Sequence, residues 1–282
     1  MHAVPRTAAA APVLFLLAAS ALPARGDDVK TVSSEAKEAR EPETETEPRK
    51  ELTVPKAPPG KVTISLADGK IAVCREQSAQ PFLIRGNWFP RTTDAETVKE
   101  GRKLLEQAIR YRTEKYGYFE GFGNPKSNAH PPKFYAKTTS FMGLGVQVHE
   151  KIIPALKCVE ADLKASPAGN EYKPHAMGGI RFRNTYKGVE VSNHVYGIAV
   201  DIEPDKNTCC GCVAPWNQHP LCKQKGKTVW ERMVMPRSWV ETFERYGFYW
   251  LGHDVLQDTM HFEFLGDPDK ITEAPASVAA SN

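Results

Sequence analysis

The stretch SNHVYGIAVDI, residues 192–202, restricts the fold of this chain more than any other, because it builds ionisable side chains into an apolar strand. Read with a period of two, Ile198, Val200 and Ile202 point to one face, while Ala199 and Asp201 point to the other. A carboxylate held among buried apolar residues is costly unless a cation meets it. Any fold of this sequence must therefore bring a positive partner to Asp201.

A second strand near the end of the chain, DTMHFEF at 258–264, supplies the means. Phe262 and Phe264 alternate toward the core, so His261 and Glu263 share the opposite face. His194 near a turn, Asp201 at a strand end and His261 on another strand make three nitrogen and oxygen donors. Three protein ligands with one position left for water is the composition of a catalytic zinc site, whereas a structural site fills all four with Cys and His. Asp258, three residues before His261, is placed to serve that open position as a carboxylate base. Glu263 reads either as the partner that orients an imidazole or as a solvated edge residue. Asp201, Glu203, Asp205 and Asn207 superficially suggest a calcium loop, but that pattern lacks the glycine at its sixth position and the glutamate at its twelfth, where Cys212 stands.

The rest of the 282 residues divide by composition. Arg6, the apolar run AAAAPVLFLLAA at 8–19 and the Ala19-Ser20-Ala21 site form the pattern of a secretory signal peptide over 1–24. The run is too short to span a bilayer comfortably. Residues 25–60 alternate acidic and basic side chains with Pro and Thr and have almost nothing large and apolar, which predicts a disordered linker. Residues 61–270 are expected to form the folded domain, and 271–282 a flexible tail. The formal charge of +3 argues against a nucleic-acid binder. Six cysteines in an exported chain read as disulfides, with the Cys209, Cys210, Cys212 and Cys222 cluster a poorer fit to a metal cluster; the sequence does not choose the pairing.

Within the domain, 63–73 reads as two strands around an Asp-Gly turn. Thr93 and Glu96 form a capping box for a helix to Tyr116, stopped by Gly117, with Val98, Leu105, Ile109 and Tyr116 on one face. A long loop covers 117–132. A helix is expected over 146–164, where Pro154 predicts a kink or a late start. Residues 178–184 and 197–202 read as strands, Pro236 opens a helix that ends at Gly247, and two last strands follow. Helices early and strands mixed in later give an α+β domain, an antiparallel sheet with helices packed on one side.

The residues Ser192, His194, Gly197, Ala199 and Asp201, followed by Asp258, Met260, His261, Phe262 and Glu263, resemble the zinc D-alanyl-D-alanine carboxypeptidases and their relatives, the L-alanyl-D-glutamate endopeptidases. The GGIR run at 178–181, the MVMP helix start at 233–236 and the YGFYW run at 246–250 follow in the same order, so the resemblance spans roughly 140–266. It implies the fold shared by these enzymes and hedgehog domains, Zn2+ bound by His194, Asp201 and His261, and Asp258 as general base. It also implies that Arg181 holds the substrate and stabilises charge on the attacked carbonyl, although Arg183, on the same face if 178–184 is a strand, competes for that role. The implied activity is hydrolysis of peptidoglycan stem peptides in the periplasm or outside the cell, by a monomer without stable membrane insertion. The alternative is a non-catalytic zinc-stabilised module of the hedgehog type, which would not need Asp258. His253 reads as a surface histidine rather than a further ligand.

Overall fold

The computed structural model describes residues 61–186 and 190–275; the expected signal peptide, the linker and residues 276–282 of the tail lie outside the described residues. Strands β1 (Thr63–Ser65) and β2 (Ile71–Cys74) pair antiparallel across the expected Asp68-Gly69 turn, with Gly69 at φ +81°. A short helix α1 (Arg85–Trp88) precedes the long α2 (Ala95–Tyr116). The cap of α2 is Asp94, whose side chain accepts from the Thr97 amide, one residue on from the expected Thr93 box. The helix stops at Gly117, as its sequence predicts.

Two strands stand where no strand was expected. β3 (Ala136–Phe141) and β4 (Leu144–His149) form a hairpin closed by Met142 and Gly143, both with positive φ, the geometry of a tight two-residue turn. The helix expected from 146 starts only at α3 (Ile153–Ala165), with Pro154 in its first turn. Pro154 thus marks a late start and not a kink, and its missing N–H falls where a helix has no acceptor for it. A short α4 (Ala168–Glu171) follows.

The central sheet is antiparallel, in the order β5 (Met177–Gly178), β6 (Ala199–Ile202), β8 (His261–Phe264), β7 (Phe248–Trp250). The strand expected over 178–184 is only β5, because Ile180 and Arg181 turn away to bond Gln147 and the His194 carbonyl. Helix α5 (Arg237–Arg245) lies on the apolar face, where Phe243 stacks on Phe262 at 4.2 Å and meets Phe248 edge-on. Leu83, Trp88, Leu105, Ala108 and Leu265 form a second cluster, with Tyr249 packed against it. Tyr249 alternates onto the other face from Phe248 and Trp250, so helices flank both sides of the sheet, a correction to the one-sided packing expected. The mixture of helices with an antiparallel sheet is that of an α+β domain.

The last strand, β9 (Thr272–Glu273), pairs with Cys74 and Val73, which carries the ordered chain past the boundary expected at 270. Disulfides join Cys74 to Cys158, Cys209 to Cys212 and Cys210 to Cys222, leaving no free thiol among the described residues. No helix among the described residues is long and apolar enough to cross a membrane.

Candidate metal centre

The sheet register assembles most of the site. β6 and β8 place Asp201 directly opposite His261, and Ala199 opposite Glu263, so all four side chains rise from the face away from α5. His194 reaches the same point from a turn before β6, closed by hydrogen bonds from Val195 to Ser192 and from Gly197 to His194. Gly197 has φ +69°, and a Cβ there would lie 2.8 Å from the His149 nitrogen, so only glycine lets this turn meet β4.

His194 Nε2 lies 3.1 Å from Asp201 Oδ1 and 3.1 Å from His261 Nδ1, and His261 Nδ1 lies 2.9 Å from Asp201 Oδ1. The three residues are 1, 4 and 3% exposed for His194, Asp201 and His261. Each imidazole faces an acceptor with its other nitrogen: His194 Nδ1 donates to the Gly179 carbonyl at 2.7 Å, and His261 Nε2 to Glu263 Oε1 at 3.0 Å. When both imidazoles are neutral, each carries one proton, and both inward nitrogens present lone pairs to each other and to a carboxylate. Lone pairs converging in a buried space repel unless a cation joins them, so the donor set fits a metal ion, and two imidazoles with one carboxylate suit zinc.

Without an ion, a proton on an imidazole takes the place of the cation. Burial alone would raise the Asp201 carboxyl, but the two imidazoles outweigh it and hold it well below the ordinary carboxylate range. Burial lowers His194 further than Asp201 raises it. For His261, the carboxylates of Asp201 and Glu263 outweigh burial and raise it to about 10, so without an ion the ring keeps a second proton that a bound metal must displace. Arg181 donates through Nη2 to Asp201 Oδ2, and its side chain is 44% exposed. Arg183 is exposed and its segment is not a strand, so Arg181 is the arginine of this run that reaches the site.

Asp258 stands beside this group, paired across an isolated bridge to Cys209. Its Oδ1 is buried without a hydrogen-bond partner. Burial first, with the charges of Asp201 and Glu263 adding and His261 and Arg181 opposing, pushes its carboxyl up to about 7. Cys209 and Cys212 also approach Asp258, but their sulfurs are joined in a disulfide and offer no thiolate. Glu263 is buried on His261, so it orients an imidazole and is not a solvated edge residue. His253 is exposed and pairs with Glu244, away from the site.

Three contributors went unread in the sequence. Asn193, inside the Ser-Asn-His run, helps to lower the Glu263 carboxyl. Arg112 of α2 reaches Asn193 Oδ1 at 3.0 Å. Tyr186 is near enough for the charges of Glu263, Glu190 and Asp258 to add to burial in raising its phenol. Only Arg112 left a signal, as a charge on the helical stripe Leu105, Ala108, Arg112, Tyr116.

Residues 186–264, less than a third of the chain, match a family model described as D-alanyl-D-alanine carboxypeptidase. The matched segment contains His194, Asp201, Asp258, His261 and Glu263 and excludes Arg181. It bears out the resemblance drawn from the motifs and supports a peptidase of the peptidoglycan-directed zinc type in general. A search of curated proteins and one of solved structures gave no significant match.

Proposed function

We propose that this chain is an exported zinc peptidase that hydrolyses amide bonds in peptidoglycan stem peptides, with the hedgehog and D-alanyl-D-alanine peptidase fold. The observation that carries the reading is the buried convergence of His194 Nε2, Asp201 Oδ1 and His261 Nδ1 within 3.1 Å of one another, with Asp258 alongside. When bound, zinc supplies Lewis acidity and lowers the pKa of a water from about 15.7 toward about 7. The protein supplies the rest. Glu263 and the Gly179 carbonyl hold the outward nitrogens of the two imidazoles and so aim the inward ones at the common point.

Asp258 is the proton carrier. Its buried carboxyl is placed to take a proton from attacking water and return it to the leaving amine. Arg181 is the partly exposed cation of the site, and its guanidinium is suited to stabilise the negative charge that grows on the attacked carbonyl oxygen. A purely structural zinc module gains nothing from a buried, unpartnered carboxyl such as Asp258, which favours an enzyme over the hedgehog-type alternative.

Two cleavages fit this chemistry: removal of the terminal D-Ala, and cleavage between L-Ala and D-Glu. Incubation of the zinc-loaded protein with a synthetic stem pentapeptide, with fragments identified by mass spectrometry, separates them. Asp258→Ala is expected to keep its zinc and lose turnover by a factor of about 100 or more. Zinc retention with undiminished turnover would remove Asp258 from the mechanism, and no cleavage of any stem peptide by the zinc-loaded protein would overturn the assignment.

A further inference from the structure

Arg85 lies outside the segment that matches the family, yet the fold brings it to the edge of the metal centre. It opens α1, where its Nε donates to Glu190 Oε1 at 2.6 Å. Its guanidinium carbon stands 5.7 Å from the Phe89 centroid and 5.6 Å from that of Tyr186. Glu190 is buried, whereas the side chain of Arg85 is 27% exposed. Among the described residues, neither Nη1 nor Nη2 of Arg85 has a hydrogen-bond partner. A guanidinium holds a carboxylate best through two parallel N–H donors, and Glu190 takes only Nε. The two Nη groups, steadied between aromatic rings, remain open to a second anion.

Both chain segments that meet α1 lead to the site. Glu190 precedes His194 by four residues. A Cβ on Gly86 would lie 3.9 Å from Asp254 Oδ2, and Asp254 precedes Asp258 by four residues. Four residues of chain span at most about 14 Å, so the guanidinium stands a few peptide units from the centre. Tyr186 links the two places, with Arg85 over its ring and the charges of Glu263 and Asp258 near enough to raise its phenol.

An acidic substrate meets carboxyl groups here, those of Asp201, Asp258, Glu263 and Glu190, and binds better where a cation faces its own free carboxylate. Two other arginines near the centre are taken: Arg181 donates to Asp201, and Arg112 is only 1% exposed. We propose that Arg85 is a specificity-determining residue that binds a free carboxylate of the stem peptide through Nη1 and Nη2, while Glu190 fixes its orientation. The proposal deepens the peptidase reading given above and rests on it. That carboxylate has two sources, the terminal D-Ala and the α-carboxyl of a D-Glu joined through its side chain.

The test is steady-state kinetics of the zinc-loaded protein on three synthetic stem pentapeptides: both carboxylates free, the terminal one as an amide, or that of D-Glu as an amide. Wild type, Arg85→Met and Arg85→Lys are compared. In the wild type, one of the two amides is expected to raise KM by about 10- to 100-fold with kcat little changed, and so identifies the carboxylate. Arg85→Met is expected to show that same loss on the free acid and no further loss on that amide. Arg85→Lys keeps a cation for Glu190 but lacks the planar pair of donors, and falls between the two.

Should Arg85→Met fail to fold, the wild-type amides and Arg85→Lys decide. Wild-type KM unmoved by either amide, or a folded Arg85 variant equally impaired on all three peptides, would overturn the proposal while leaving the peptidase reading intact. No cleavage of any of the peptides would instead overturn that reading, and the proposal with it.

Discussion

At the scale of single residues, the site is a problem in aiming protons. His194 and His261 each give their one neutral-state proton to an outward acceptor, the Gly179 carbonyl and Glu263, and so turn lone pairs toward Asp201. Aim depends on backbone as much as on side chains. Gly197→Ala would have to hold an alanine at φ +69° with its Cβ 2.8 Å from the His149 nitrogen. A loss of about 2 kcal/mol or more in denaturant unfolding is expected, together with weaker zinc binding as the His194 turn shifts. Unchanged stability would show that the turn relaxes without cost. His194, Asp201, His261 and Asp258 were legible in the sequence because each stands in a short local pattern whose period decides its direction. Arg112 was not, because its meaning depends on Asn193 some eighty positions away, and no local period reports such a contact.

At the scale of elements, the hairpin of β3 and β4 was the part least visible. Val148, Ile152 and Leu156 recur at helical spacing, while Val146 and Val148 also alternate as a strand does, so one apolar run satisfies both periods. Pro154 carried the decisive information, since it sits in the first turn of the helix that begins at Ile153, four residues after the strand ends at His149. His149 closes β4 wholly buried, its Nδ1 accepting from the Lys151 amide. Burial, with Lys151 adding, lowers it to about 4. The unfolded chain protonates the same ring near about 6.5, so between these values the unfolded state binds more protons and stability falls as pH falls. Full stability is present above about 6.5, and by pH 4.5 this one group is expected to remove about 2 kcal/mol. His149→Asn keeps an acceptor for Lys151 and should lack that part of the acid sensitivity. Equal losses between pH 7 and pH 4.5 in the two proteins, by urea unfolding, would count against it.

The same scale governs the cysteines. Their number indicated disulfides, but the pairing became visible only when folding brought β2 to α3 at Cys74 and Cys158, 84 positions apart. Closing so long a loop removes freedom from the unfolded chain, so Cys74→Ala with Cys158→Ala is expected to lower stability by about 2–5 kcal/mol. Thermal unfolding of the metal-free double variant measures it; a change below about 1 kcal/mol would contradict that account.

For the whole molecule, the balance of charge ties fold and function together. In the metal-free fold a proton on His261 offsets the buried carboxylates of Asp201 and Glu263. A divalent cation takes that proton's place, and binding that favours the folded form raises its stability. The central claim is that two imidazoles and one carboxylate hold a single zinc ion. Its most direct test is zinc content after exhaustive dialysis, for the wild type and Asp201→Ala side by side. About one equivalent in the wild type and essentially none in folded Asp201→Ala is the predicted result; a folded wild type that retains no zinc, or an Asp201→Ala variant that retains as much, would contradict it.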